Sequence, residues 1–320
     1  MITTLILTPF SWVYGLITSL RNLLYDRKIL NSYRPGIPVI VVGNLIAGGT
    51  GKTPMVAWIA RELSRNYRVA ILSRGYGRRT RGFLFLDTAS TPETVGDEPM
   101  ELRLLLPEIP IAVDKNRKRG IQNLSSGKYG KIDLILMDDG FQHRRVTPGY
   151  SIILDNFNRP LHKEKLLPAG LRREPLSGLK RADLIIETKR QISFESSQTS
   201  SPILLITGIA NPQPLSDEIA KTGNLRNHLK FPDHYRYTHA DAASIRNLYF
   251  SLLGEGQLSA DRSAPILLTT GKDYVKLSRL AELSDLPLQW IPIGPPINPD
   301  QKQEILNKIY QYVEKTNGNS

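Results

Sequence analysis

Along most of the chain, short apolar runs alternate with polar segments of helix length. "IPVIVVGN" (37–44) is unbroken and rich in β-branched residues, the pattern of a strand buried on both faces of a parallel sheet. "RVAILSRG" (68–75), "IPIAVD" (109–114), "IDLILMDDG" (132–140), "YSIILDN" (150–156) and "ADLIIETK" (182–189) repeat it. A helix is predicted over roughly 52–66. Strands alternating with helices predict a parallel sheet with right-handed crossovers. "RQISFESSQTSS" (190–201) is polar, serine-rich and aperiodic, and reads as a linker. Beyond it the alternation resumes, with strands at 202–212, 228–235, 265–273 and 286–294 and helices at about 240–253 and 299–315. The expected organisation is an N-terminal helix over 1–30, an α/β core over 31–198 and a smaller α/β unit over 199–320.

The N-terminal segment follows a different pattern. Its first twenty residues carry no charged side chain, and Arg21, Arg27 and Lys28 follow. No basic residue precedes the apolar stretch and no small-residue cleavage site is evident, so it does not read as a secretory signal. Its length is marginal for a membrane span, and Pro9, Ser11 and the threonines weaken that reading. Leu16, Leu20, Leu23 and Leu24 fall on one side of a helix, and Trp12 and Tyr14 suit a membrane interface. The pattern suits a helix lying in the interface with basic residues at the headgroups, or a buried helix.

The first strand runs into "VVGNLIAGGTGKTP" and then a helix, which is the context of a phosphate-binding loop. The usual motif opens on glycine, where this chain has Ile46. Gly48, Gly49, Thr50 and Gly51 can turn backbone N–H groups inward at a helix N-terminus to cradle phosphate oxygens. In such a loop Lys52 reaches the β- and γ-phosphates of ATP and Thr53 ligates Mg²⁺. A P-loop NTPase-type sheet also needs a carboxylate at a neighbouring strand end. "LILMDDG" supplies Asp138 and Asp139, although Asp-Gly also ends strands in ordinary turns. In "TVGDEPMEL", Asp97 reads either as a helix cap or as the group that activates a phosphoryl acceptor. His234, in "KFPDHYRY", reads either as a structural histidine or as Asp97's partner across a cleft.

Charge narrows the acceptor. The net charge is +12, and residues 1–198 hold the whole excess, with 30 Lys and Arg against 18 Asp and Glu. The basic residues cluster in "SRGYGRRTRG", "DKNRKRG", "QHRR" and "LRREP", which points to an anionic partner there. No recognition module for nucleic acid is present, and the arginines flank the loop rather than an aromatic surface. The absence of cysteine excludes disulfides, thiolate zinc sites and cysteine nucleophiles.

Together, "VVGNLIAGGTGKTP", "LSRGYGRR", "VGDEP", "VDKNR", "MDDGFQHRR", "LLPAGLRREPLSGLKRADLII", "TGIANP" and "FPDHYRY" resemble the tetraacyldisaccharide 4'-kinase family, the lipid A 4'-kinases of Gram-negative bacteria. The resemblance runs in family order from the first helix to "GKDYVKL", and the family resembles this loop in lacking the first glycine. It implies an enzyme at the cytoplasmic face of the inner membrane, using ATP and Mg²⁺. Such an enzyme phosphorylates the 4'-hydroxyl of a tetraacylated glucosamine disaccharide 1-phosphate to give lipid IVA. No nucleic acid or obligate protein partner is implied. Matched motif by motif, Lys52 and Thr53 fall on the phosphate and Mg²⁺ positions, Asp138 and Asp139 on the metal-binding pair, and Asp97 on the catalytic base with His234 orienting it. Arg74, Tyr76, Glu98, Gln142, His143, Arg173 and Glu174 match other active-site positions. Gly271 departs from the family, which usually has glutamate there. The rival reading is a membrane-associated P-loop ATPase switch without a lipid acceptor. Those proteins have lysine where this chain has Ala47.

Overall fold

The computed structural model describes residues 2–48, 51–189, 201–257 and 264–317. The expected linker lies almost wholly outside them. Two sheets are present. The larger has the order β3-β4-β2-β5-β1-β6-β7. It is built from β1 (Val39–Gly43), β2 (Val69–Ser73), β3 (Leu84–Phe85), β4 (Ile111–Val113), β5 (Leu134–Asp138), β6 (Tyr150–Asn156) and β7 (Leu184–Thr188). Every pairing is parallel except β3 with β4. The two-residue β3 is too short to show in the hydrophobic pattern. Strands β1, β2 and β5 are buried at every position, as their unbroken apolar runs require.

The smaller sheet has the order β11-β10-β8-β9 and is parallel throughout. Its strands are β8 (Ile203–Thr207), β9 (Leu225–Lys230), β10 (Ile266–Thr270) and β11 (Leu288–Ile291). The expected strand at 228–235 is displaced toward the N-terminus. Residues after Lys230 turn away, with Pro232 lacking a backbone donor and His234 at φ 57°.

Helix α1 (Ile2–Asp26) precedes the first sheet, and α2 (Lys52–Leu63) follows β1. The short α3 (Pro92–Val95) leads through Gly96 into α4 (Asp97–Leu105), and α5 (Arg117–Leu124) follows β4. In the second part come α6 (Gln213–Ala220), α7 (His239–Gln257), α8 (Gly271–Leu277) and α9 (Pro299–Asn317). Helix α9 falls in the stretch assigned by sequence to the smaller unit. Its Ile305, Leu306, Ile309 and Val313 nevertheless join the core of the larger sheet, and Tyr312 stacks on Tyr150. Its apolar stripe fixes that it must be covered but not by which sheet.

Helix α1 docks by its polar side. Ser11 Oγ donates to Leu166 O at 2.9 Å, and Asn22 Nδ2 donates to Glu174 Oε2 at 2.8 Å. Tyr14, expected at a membrane interface, instead donates its hydroxyl to Arg173 O at 2.7 Å. The opposite side leaves Phe10, Trp12, Val13, Leu16, Ile17 and Leu20 in contact with solvent, Trp12 72% and Leu16 71% exposed. Among the described residues, no helix is long and apolar enough to cross a membrane.

Candidate active site

The loop between β1 and α2 is anchored on its outer side and open on its inner side. Ile46 is buried, packed with Val39, Val41 and Leu45 in the core under the sheet. It bridges to Arg172, while Ala47 N–H donates to Leu171 O and Arg173 N–H to Leu45 O. Packing and this backbone pairing therefore hold the turn in which the usual motif has its first glycine. Gly51 ends the loop at φ 79°, and a Cβ there would lie 2.6 Å from Pro296 Cγ, so only glycine fits. Gly48 is also in the left-handed region, at φ 110°. Gly49 and Thr50 lie outside the described residues. Lys52 and Thr53 open α2, whose first-turn N–H groups lack intrahelical acceptors and suit an anion.

Register brings the carboxylates beside this loop, because Val42 of β1 is paired with Asp138 of β5. The two aspartates, indistinguishable in sequence, differ here. Asp139, at φ 47°, ion-pairs with Lys52 Nζ at 3.6 Å and with Arg173 at 3.0 Å. Burial opposes its charge, but Lys52, Arg173 and Arg117 outweigh burial and hold its pKa below the ordinary value. Asp138 is 1% exposed and accepts from Ser73 Oγ at 3.1 Å through Oδ2, while Oδ1 has no partner. Burial, with Glu98 and Asp139 nearby, pushes its pKa up in spite of Lys52 and Arg117.

A buried carboxylate oxygen without a partner, beside the Thr53 turn, fits a hard divalent cation. Among the described residues, no three His, Asp or Glu side chains form a metal cage. A cation here would take its remaining ligands from phosphate and water, as Mg²⁺ does.

Gln142 Nε2 donates to Asn44 O at 2.6 Å, tying the strand-β5 turn to the loop. His143 has an unpartnered Nε2, and burial followed by Arg117, Arg145, Arg74 and Arg21 lowers its pKa to about 4. It is neutral near pH 7. Arg74 is exposed at the end of β2.

Asp97 occupies the first position of α4, with Gly96 as the cap residue and no side-chain capping bond. Its carboxylate instead meets the other sheet's side chains. His234 Nδ1 is 3.2 Å from Asp97 Oδ2, and Lys276 Nζ is 3.5 Å from the same oxygen. Burial raises the Asp97 pKa, but the His234 hydrogen bond and the Lys276, His234 and Lys272 charges more than offset it. The net shift is downward. Tyr76 lies beside this pair, its ring centroid 5.3 Å from that of His234. Glu98, next to Asp97, contributes negative charge toward Asp138. The expected partners Asp97 and His234 thus meet at the start of α4, while Asp139, expected at the metal, ion-pairs with Lys52 at the loop. An anion cradle beside an ionised carboxylate can bind a phosphoryl donor and deprotonate an acceptor.

Glu174 is fully buried; its Oε2 accepts from Arg181 at 2.6 Å and from Asn22 of α1, while its Oε1 has no hydrogen-bond partner. At Gly271, a Cβ would lie 2.9 Å from Glu101 Oε1. The space a side chain would need there is taken by a carboxylate from α4. Four contributors were missed in the sequence: Arg117, Ser73, Lys272 and Lys276. Arg117 falls in a basic cluster that reads as facing an anionic partner, yet it is 2% exposed and donates to Asp138 O at 2.6 Å. The available signal was the motifs themselves: "VDKNR" holds Arg117, "LSRGYGRR" holds Ser73, and "GKDYVKL" holds Lys272 and Lys276.

This chain matches the family model described as tetraacyldisaccharide-1-P 4'-kinase over residues 3–201 and 193–311. It is 35% identical to the tetraacyldisaccharide 4'-kinase of Parabacteroides distasonis, over 97% of this chain and 94% of the relative. It is 34% identical to that of Bacteroides thetaiotaomicron, over 98% and 94%. The solved structure of LpxK from Aquifex aeolicus in complex with ATP superposes with a TM-score of 0.76 at 26% identity, covering 97% of this chain and 99% of the other. With the family model matched over most of its length and these relatives covered almost from end to end, the chain belongs to the tetraacyldisaccharide-1-P 4'-kinase family.

Proposed function

We propose that this protein is an ATP-dependent lipid kinase. It transfers the γ-phosphate of ATP to the 4'-hydroxyl of a tetraacylated glucosamine disaccharide 1-phosphate, giving lipid IVA in lipid A synthesis. The observation that carries the reading is the meeting of Asp97 with His234 beside a loop whose lysine already faces Asp139.

In this reading the loop amides from Gly48 to Gly51, with Lys52, hold the ATP phosphates. Thr53 and Asp138 would hold Mg²⁺, which would supply positive charge against the phosphates. Asp139 keeps Lys52 and Arg173 poised at the loop. Asp97 accepts the proton of the attacking 4'-hydroxyl, oriented by His234. As the new O–P bond forms, the bond from the γ-phosphorus to the bridging oxygen breaks and ADP leaves. Lys52 offsets charge on the transferring group. Arg74, Tyr76, Glu98, Gln142 and His143 line the approach to this centre, and Glu174 supports it from beneath α1. The smaller sheet's unit, without α9, closes against the larger one over the phosphates and sugar and excludes water.

The acyl chains stay in the bilayer. The outward apolar side of α1 and the basic residues beyond it seat the enzyme on the inner membrane, at its cytoplasmic face. The test is transfer of labelled γ-phosphate from Mg·ATP to the tetraacylated disaccharide 1-phosphate in mixed micelles, with ATP consumption followed in parallel. Label on the lipid matched to ATP consumed supports the kinase. ATP consumed with the lipid unlabelled would instead leave an ATPase switch.

A further inference from the structure

Past the end of α1 the chain is pinned to the larger sheet. Tyr33 packs on that sheet's core, its N–H donates to Arg145 O, and Thr147 N–H donates to Tyr33 O, both at 2.9 Å. Arg144 pairs with Asp26, the last residue of α1, at 2.6 Å. Between this segment, the turn that holds Arg145 and the start of α5 lies a cavity of about 630 Å³. Its walls include Leu30, Tyr33, Arg34, Asn116, Lys118 and Arg145.

The cavity is cationic and uncompensated. Arg34, Lys118 and Arg145 are exposed, and among the described residues none of them pairs with a carboxylate. The acids next to the walls in sequence are already taken, Asp26 by Arg144 and Asp114 by Arg119 at 2.8 Å. Lys118 Nζ lies over the Tyr33 ring, 5.5 Å from its centroid, which holds the ammonium at the wall. Asn116 Oδ1 caps α5 by accepting from Arg119 N–H at 3.2 Å, so its amide N–H groups remain as donors. Three like charges around one concavity repel each other until an anion joins them. Two guanidinium forks and one ammonium suit phosphate oxygens.

The cavity is separate from the phosphate loop. Arg117 turns inward to Asp138 O, while Lys118, the next residue, faces the cavity. The loop, the aspartate pair and Asp97 contribute nothing to its walls. It does adjoin the apolar side of α1. Exposed apolar side chains continue from Leu20 and Leu23 past the helix end to Ile29 and Leu30, and Leu30 is itself in the wall. An apolar band that runs into a cationic pocket matches a glycerophospholipid at the membrane interface, with acyl chains along the band and phosphate among the cations.

We propose that this cavity is a second lipid site, which binds the phosphate headgroup of an anionic glycerophospholipid of the surrounding bilayer. It rests on the reading that α1 lies on the membrane, and it deepens that reading. An apolar stripe alone leaves the enzyme free to roll about the helix axis. A headgroup held beyond the helix end adds a second point of attachment and fixes the tilt of the active centre over the bilayer.

The test is binding of the full chain to phosphatidylcholine vesicles with and without phosphatidylglycerol. Phosphatidylglycerol should tighten binding, and Lys118→Gln with Arg145→Gln should lose that gain by about 10-fold or more. Arg27→Gln with Lys28→Gln removes the same charge beside the cavity and should lose roughly 3-fold or less. Equal losses in the two variants would reduce the cavity to part of a diffuse field and overturn the proposal. Monomeric dihexanoylphosphatidylglycerol, titrated in solution, should bind the parent saturably and the cavity variant not at all. Inorganic phosphate competing as well as this lipid would overturn a lipid site in favour of a free-anion site. Label transfer in neutral detergent micelles should be the same in the parent and the cavity variant. A raised KM for the tetraacylated disaccharide there would give the cavity to the substrate's own phosphate and overturn the proposal. The vesicle and monomer readings need no turnover, so they decide the cavity even if the kinase reading fails. Failure of the parent to bind neutral vesicles would count against the seating of α1 alone, and the monomer titration would still decide the cavity.

Discussion

Lys52 Nζ lies 3.6 Å from Asp139 Oδ1, so the loop lysine is held by a carboxylate at the end of the neighbouring strand. Both side chains are mostly shielded from solvent, and Arg173 shares the same carboxylate at 3.0 Å. Two cations on one anion leave net positive charge at the mouth of the loop, where phosphate binds. Lys52→Ala removes the charge that opposes the developing negative charge of the transferring group. It should lower kcat by roughly 10²-fold or more, measured by label transfer to lipid. A change confined to KM would mean that Lys52 only binds ground-state ATP.

Asp97→Ala separates chemistry from nucleotide binding. Asp97 does not cap α4, so its loss should not unfold the helix. The expected result is a kcat lower by about 10²- to 10⁴-fold with ATP affinity nearly intact, read by single-turnover transfer and by ATP titration. Unchanged turnover would reduce the Asp97–His234 contact to a tie between the two sheets.

Glu101 gives the protein a pH-dependent weakness. Burial pushes its pKa up to about 7, with Glu98, Asp273 and Asp97 adding to burial and Lys272 opposing it. A raised carboxylate pKa means the folded state holds a proton that the unfolded state has lost. Stability therefore falls as pH rises from the ordinary 4.5 through about 7, and the loss is complete above that. Glu101→Gln keeps the shape without the charge. It should be more stable than the parent above pH 7, by on the order of 1–3 kcal/mol, with the difference vanishing near pH 4. Denaturant midpoints across that range check it.

Gly51→Ala tests the loop's inner turn. The new Cβ would have to enter Pro296 at φ 79°. The expected cost is about 1–3 kcal/mol of strain, expressed as weaker ATP binding because the loop must shift to relieve it. Calorimetric titration with ATP measures this directly.

The exposed face of α1 predicts a surface phenotype. Replacing Trp12, Leu16 and Leu20 with serine should leave the unfolding transition nearly unchanged, because these side chains are already in contact with solvent. Binding to anionic vesicles should drop by 10-fold or more, given roughly 25 cal/mol for each Å² of apolar area withdrawn from the bilayer. Residual binding should weaken further with salt, through the arginines and lysine that follow.

Local sequence determined the class of fold and the phosphate loop. Unbroken β-branched runs marked the strands, although β7 at the sheet edge leaves Ile185 exposed, and closely spaced glycines before a lysine at a helix start marked the anion turn. The Asp138–Asp139 pair was legible for the same reason, since it ends one of those runs. What only the tertiary structure decided concerns partners far apart along the chain. Asp97 and His234 are separated by 137 residues, and they meet where α4 packs against α8, next to the loop after β9. The two aspartates part company because register and a φ of 47° set one beside Lys52 and Arg173, and the other beside Ser73. Ile46 is a core residue rather than a flawed motif, because the 171–173 backbone lies against it. Helix α1 turns its polar side inward, which its composition could not reveal, since acceptors such as Leu166 O and Arg173 O belong to a distant segment. Periodicity and turn chemistry are properties of neighbouring residues and can be read in order; burial, charge compensation and hydrogen-bond partners belong to packed space and arise only when the chain closes on itself.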